Sequence, residues 1–483
     1  MRNSNELKIL TALTVSLLSG NTYATNGYFL PGYGIKASGM GGASIALATD
    51  AVALATNPAA AAYTGMRGDV GMTWFRPLRS SGVADLPLSQ GGTSLNGGFG
   101  FGGNDSSGNN DYVIPDMAFT FPLSERTSLG LAVVGAGLGT TFKNNFFASK
   151  NFFDTVPYAP GDGSCSDILI KAGANPSGCT PGSHLGVDLI QLQVPVTLAY
   201  RFTDTQTFGA SLNLAAQRFK ANGLGQFILF GLSGNPAYVT NNGYDYSYGA
   251  GVRLGWQGHF LNDRVVLGAV YTSRTYMTKF DSYKGLFAEQ GDFDIPENYG
   301  LGFALKVGKT LTIAGDVVRI LYSDIASVGN DGPGNGLGGS ARQSDVVSSL
   351  IPTLSTGNPV NIKPTALGAD GGYGFGWKNM TVYKLGVAYD ASDNLVLRAG
   401  YNYGKNPIDK NQAVFSALAP ATTERHYSVG FTYKLHTNLP IELSGQFTHV
   451  PAKSIEVCGQ AVVDCVSYKL GQTEVGMGLG IMY

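Results

Sequence analysis

Four cysteines stand in the chain as two close pairs, Cys165 with Cys179 and Cys458 with Cys465, a spacing that suits local disulfides or thiolate metal sites. No histidine lies near either pair at zinc-ligand spacing, so disulfides are expected and a metal is not. The five histidines form no recognisable arrangement with Ser or Asp, and no Gly-x-Ser-x-Gly turn occurs. A lipase-type catalytic centre is therefore not expected, nor any cofactor. The chemistry that remains is apolar capture. Phe146-Phe147 and Phe152-Phe153 fall in one stretch read as loop, and Phe227-Ile228-Leu229-Phe230 with Leu232 in another. Apolar clusters on exposed segments bind something or pack on one another.

The elements that position these residues follow from how the chain is exported. Arg2 and Lys8 precede an apolar stretch from Ile9 to Leu18, and Thr22-Tyr23-Ala24 supplies a small-x-small cleavage site. Residues 1–24 read as a signal peptide, with the mature chain beginning at Thr25. An oxidising compartment favours both disulfides. No later run approaches the roughly 20 apolar residues that a membrane helix needs, so any crossing is made by strands.

Composition agrees. Charged residues make up 13% of the chain, about half of the usual share, and 68 glycines in 483 residues are close to twice the usual frequency. A mean hydropathy of +0.03 suits strands that are apolar on one face only. The formal net charge of −1 gives no electrostatic reason to expect nucleic acid.

The last residues, Val475 to Tyr483, put Val475, Met477, Leu479, Ile481 and Tyr483 on one face, with Glu474 and glycines on the other. This is the pattern of the closing strand of an outer-membrane barrel. Alternating runs bounded by turn residues predict fourteen strands, at 67–77, 112–122, 128–142, 188–202, 206–220, 244–260, 264–280, 293–306, 311–322, 378–390, 395–405, 424–435, 440–451 and 468–483. Connections after even-numbered strands are a few residues long, as at Leu261-Asn262-Asp263, and those after odd-numbered strands are a dozen or more. Short periplasmic turns alternating with long outer loops define an outer-membrane barrel. The expectation is an all-β, fourteen-stranded antiparallel transmembrane barrel over residues 67–483, in the outer membrane of a Gram-negative cell.

Between cleavage site and first strand, residues 25–66 are rich in Gly and Ala and lack strand alternation. A barrel of this width leaks unless something fills it, so this segment reads as a lumenal plug. Within it, Asn26-Gly27-Tyr28-Phe29, Gly39-Met40-Gly41-Gly42-Ala43 and Asn57-Pro58-Ala59 resemble the N-terminal hatch of the long-chain fatty acid transporter family, FadL and its TodX-type relatives. Gly374-Phe375-Gly376-Trp377 with Tyr383-Lys384-Leu385-Gly386 is similar to the entry to that family's tenth strand. The resemblance implies a monomeric, plugged barrel that passes hydrophobic molecules by diffusion.

In the third strand Leu129, Leu131 and Val133 keep odd parity while Val134, Ala136, Leu138 and Phe142 are even, with Gly135, Gly137 and Gly139 between them. A one-residue slip absorbed by a bulge or bend is expected there. The resemblance implies an inward kink of this strand that opens a lateral gap, with Asn57-Pro58-Ala59 beside it, and a capturing groove between the two apolar loops. By strand parity Arg253, Arg274, Lys384, Arg398 and His426 face the lumen. They are placed to orient a ligand carboxylate, Arg274 and Lys384 above all, or to pair with Asp390, Glu474 or plug carbonyls. Each buried methylene is worth about 0.8 kcal/mol and an exposed ion pair at most about 1 kcal/mol, so apolar lining should set affinity. The expected partners are a hydrophobic small molecule and membrane lipid. The expected cargo is a long-chain fatty acid or similar molecule, the alternative an aromatic or alkane hydrocarbon.

Overall fold

The computed structural model describes residues 26–84, 103–147, 173, 184–229, 232–332, 366–409, 414–435, 440–458 and 465–483. The signal segment, Cys165, Cys179, Phe152, Phe153 and Phe230 lie outside these residues.

Fourteen antiparallel strands form the wall. They are β1 Arg67–Ala84, β2 Tyr112–Pro122, β3 Thr127–Gly139, β4 Gly186–Arg201, β5 Gln206–Asn222, β6 Asp245–Phe260 and β7 Val265–Thr272, followed by β8 Asn298–Val307, β9 Leu311–Ile320, β10 Met380–Ser392, β11 Leu395–Gly404, β12 Arg425–Leu435, β13 Ile441–Cys458 and β14 Cys465–Met482. Each strand pairs with its sequence neighbours, and β14 closes the ring on β1 from Arg67↔Met482 to Ala84↔Cys465. Closure pairs every strand with both neighbours over at least part of its length, as a lipid environment demands of backbone polar groups. Two short strands, Gly103–Ser106 on β1 and Tyr276–Met277 on β6, lie outside the ring.

The two faces separate by alternation. On β12, Tyr427, Val429, Phe431 and Tyr433 are exposed on the outside, and His426, Ser428 and Thr432 are buried inside. On β14, Val475, Met477, Leu479 and Tyr483 point outward and Glu474 inward. The hairpin of β13 and β14 runs further out than expected, and Cys458–Cys465 staples its tip.

Residues 26–66 bond to strands on opposite sides of the ring. Asp316 of β9 accepts from the backbone amides of Ser44 and Ile45 at 2.8 and 3.1 Å. Ser428 of β12 accepts from Gly41 N at 2.8 Å, and Glu442 of β13 accepts from Lys36 at 2.5 Å. Asp50 and Asn57 each cap a 3₁₀ helix, Ala51–Ala55 and Pro58–Ala62, by accepting from the amides of Ala53 and Ala59. Strand glycines permit this close seating: a Cβ on Gly400 would fall 2.0 Å from Gly41 N, and one on Gly209 would fall 2.4 Å from Ala59 N.

Two expectations about strands need correction. The predicted strand 264–280 ends at Thr272, because Ser273 and Thr275 turn to Val252 and Ile295. Pairing with β6 then resumes one residue out of register, from Arg253↔Thr272 to Ala250↔Tyr276. This shift swings Arg274 out of the lumen. In β3 there is no bulge: its register with β4 is constant from Thr127↔Tyr200 to Gly139↔Asp188, with only the pairs at Ala132 and Val133 missing opposite Val194 and Pro195. Even-numbered residues face inward throughout, from Ser128 to Leu138. The apparent slip in parity is a change in which face is apolar.

Candidate functional site

Above Val133, β3 parts from β2. The two strands pair only from Pro122↔Ser128 to Met117↔Val133. Beyond that, Tyr112 to Asp116 of β2 pair with β1 alone, and Val134 to Gly139 of β3 with β4 alone. Further out the two sides meet again where Gly108 N donates to Thr141 O and Thr141 N to Ser107 Oγ. The result is a bounded window in the barrel wall. Pro115, which has no N–H, lies on its β2 edge, and Pro195 faces the strand from β4. The side of Gly135 is open enough that a Cβ there would meet nothing closer than 3.8 Å, with Ile114 Cγ2 at 4.0 Å.

Three cavities lie between the outer loops and this window. The outermost, about 40 Å³, is lined by Leu138 of β3, Leu189 of β4, Phe219 of β5, and by Phe227, Phe287, Phe293, Phe375 and Phe415 from the loops. No charged side chain lines it among the described residues. The second, about 60 Å³, lies against Phe29, Leu30, Tyr33 and Ile45 and includes Arg253 and Lys384. The third, about 20 Å³, shares Leu30 to Tyr33 with the second and ends at Ile114, Val134 and Gly135, the window itself.

An aromatic partition separates the first cavity from the second. Tyr28 packs 6.0 Å from Phe293 and 5.1 Å from Tyr322, whose ring stands perpendicular to Trp377 at 5.5 Å. Tyr322 accepts from Tyr28 N at 3.2 Å and donates to Asn26 O at 2.5 Å. Asn26 and Phe29 line the inner cavity, and Tyr28 meets the outer one only through Phe293, which lines it. Burial pushes the Tyr28 and Tyr322 hydroxyls well above their ordinary pKa, so both stay neutral; Tyr322 donates to Asn26 O, and the Tyr28 hydroxyl has no partner among the described residues.

The expected site residues divide accordingly. Phe146, Phe147, Phe227, Ile228 and Leu232 are all buried. Phe147 packs tilted against Phe227 with ring centroids 5.3 Å apart, and Phe227 edge-on against Phe415 at 5.2 Å. The two loops thus pack on each other, and of these residues only Phe227 lines the cavity. Lys384 lines the inner cavity and reaches Gly42 O at 3.4 Å. Arg274 lines none of the three, sitting 3.8 Å from Asp294 and donating to the Asp324 carbonyl. Arg253 donates to Ala55 O and to Thr272 Oγ1, and Arg398 to Thr432 Oγ1. Glu474 pairs with none of the cations expected of it, its Oε1 lacking any partner among the described residues.

Asn57-Pro58-Ala59 does not lie at the window. It seats on Gly255 of β6 and Gly209 of β5, where an added Cβ would strike Asn57 and Pro58. Asn57 also donates to Ile45 O and Trp256 O at 2.8 and 3.1 Å. Leu30 to Gly34 take the place at the window instead. That tract, Phe293 and Phe415 escaped the sequence reading, which placed Tyr28-Phe29 only in the hatch motif. The signal open to it was aromatic residues recurring in otherwise polar, glycine-rich loops.

The family model described as outer membrane protein transport protein (OMPP1/FadL/TodX) matches residues 177–474. Among solved structures, the fold is similar to the toluene transporter TodX of P. putida, with a TM-score of 0.61 at 18% identity, covering 94% of this chain and 99% of that one. It is also similar to the toluene transporter TbuX of Ralstonia pickettii, TM-score 0.54 at 16% identity over 94% and 99%. A Pseudomonas aeruginosa FadL homologue gives a TM-score of 0.57 at 14% identity over 94% and 98%. No curated protein sequence matches the chain.

Proposed function

The chain belongs to the outer membrane protein transport protein (OMPP1/FadL/TodX) family, and from that premise we propose how its hydrophobic cargo moves. It is an outer-membrane channel for hydrophobic compounds. In this reading, long-chain fatty acids or similar molecules enter between the outer loops and settle in the cavity lined by Phe227, Phe293 and Phe415. They pass the Tyr28-Phe29 partition, and leave sideways between β2 and β3. Residues 26–66 act as the hatch that keeps water and ions from crossing. Transfer is passive, driven by removal of apolar surface from water at each stage.

The observation that carries the reading is the succession of cavities ending at the wall window. One feature favours the second cargo class, uncharged aromatic or alkane hydrocarbons: among the described residues, the outer cavity presents no cation to a carboxylate. The test is a reversible lock, Ile114→Cys with Gly135→Cys. Oxidation should abolish uptake of toluene and oleate by intact cells, and reduction should restore it. Uptake that persists in the oxidised form refutes lateral release.

A further inference from the structure

Two carboxyl groups face the cavity behind the window. Asp116 stands on β2 opposite Gly71, and Glu474 on β14 opposite Phe75. Both line the cavity that Val134, Gly135 and Leu30 to Gly34 complete. No lysine, arginine or histidine lines it among the described residues. Glu474 is 4% exposed, and its Oε1 accepts no hydrogen bond. A buried carboxyl oxygen left without a hydrogen bond is costly, and its retention calls for an explanation.

The charged groups packed nearby do not balance the pair. Asp69 is held by Arg67 at 2.7 Å, Glu442 is shared by Lys36 at 2.5 Å and Arg67 at 2.8 Å, and Asp50 accepts from Ala53 N. Arg398 donates to Thr432 Oγ1. Three cations therefore stand among Asp50, Asp69, Glu442, Asp116 and Glu474, and two of them are engaged by Asp69 and Glu442. The adjoining cavity has the opposite character, with Arg253 and Lys384.

Resting on the lateral-release reading, we propose that Asp116 and Glu474 form a charge filter at the exit. An ionised carboxylate entering between them meets like charge in a poorly hydrated space, so it passes only after taking up a proton. An uncharged molecule meets no such barrier. Anionic amphiphiles are held in the inner cavity near Lys384 and Arg253, and neutral hydrophobic molecules go through.

Oleate and oleyl alcohol, which share one chain and differ at the head, test this in intact cells carrying the full-length protein. At about pH 8.5, where both carboxyls are ionised, the wild-type channel should pass the alcohol faster by about tenfold, the lower end of what a cleft of one sign does to ion access. The Asp116→Asn/Glu474→Gln variant should raise oleate uptake and leave the alcohol unchanged. Acidifying the medium to about pH 5.5 should speed oleate through the wild type and not through the variant, the sign expected if protonation relieves like-charge repulsion. The wild-type profile needs no variant to fold. Equal uptake of both molecules, or a variant that leaves their ratio unchanged, overturns the filter. If the oxidised Ile114→Cys/Gly135→Cys lock blocks both molecules while the ratio is insensitive to the amides, the filter alone fails. If the lock blocks neither, lateral release fails first.

Discussion

Glu442 shows how a single side chain ties the N-terminal segment to the wall. It accepts from Lys36 of that segment and from Arg67 of β1, and all three are buried. Removing one partner of a buried ion group leaves the others uncompensated, at a cost of about 3 to 5 kcal/mol. Glu442→Ala should therefore lower the urea midpoint of the folded barrel, read by its heat-modifiable mobility on gels. Adding Lys36→Met should restore part of the loss, and a double variant no better than the single would show that the two residues are not coupled. Strand parity alone made Lys384, Arg253, Arg398 and His426 legible as inward residues. Arg274 was misread because a one-residue register shift beyond Thr272 is set by backbone bonds to Val252 and Ile295, which leave no mark on alternation.

At the scale of elements, the wall and the segment inside it meet through glycines. Where Gly400 touches Gly41 and Gly209 touches Ala59, an added side chain has no room without displacing the segment, since the close approach is to backbone atoms. Gly400→Val and Gly209→Val should leave the barrel assembled and unseat residues 26–66. Ion conductance in planar bilayers should then rise from near zero; conductance that stays at the wild-type level would place the barrier to ions elsewhere. The hairpin tip offers a contrast. Cys458–Cys465 closes a short loop at the hairpin tip, so Cys458→Ser should loosen the tip to proteolysis and lower the barrel's unfolding midpoint modestly, because the chain-entropy stabilisation for so short a loop is only about 2 to 3 kcal/mol. The third strand explains why the window was only half legible. Its apolar residues move from odd to even positions after Val133, which sequence alone reads as a slip; the physical cause is that the lumen itself turns apolar at Val134 and Leu138, where cavities adjoin the strand.

For the whole molecule, fourteen strands, their closure and the alternation of turn lengths were legible because lipid enforces a strict two-residue period on the wall. The proposed path through the barrel was not, because it rests on single aromatic residues that lie far apart in sequence, Tyr28, Phe227, Phe293, Tyr322 and Phe415, with no periodicity to betray them. That assembly sets how affinity should behave. With no charged side chain lining the outer cavity among the described residues, binding energy comes from buried apolar area, about 0.8 kcal/mol for each methylene, which is roughly a fourfold gain in affinity per step along a homologous series. Charge would add a salt-dependent share, screened over about 10 Å at 0.1 M ionic strength. Titrating purified protein with n-alkyl alcohols of increasing length, at low and high salt, should give that steady increment until the cavity is full, with no change on adding salt. A flat series, or affinities that fall as salt is raised, would mean that a polar or charged contact rather than the phenylalanine lining holds the ligand.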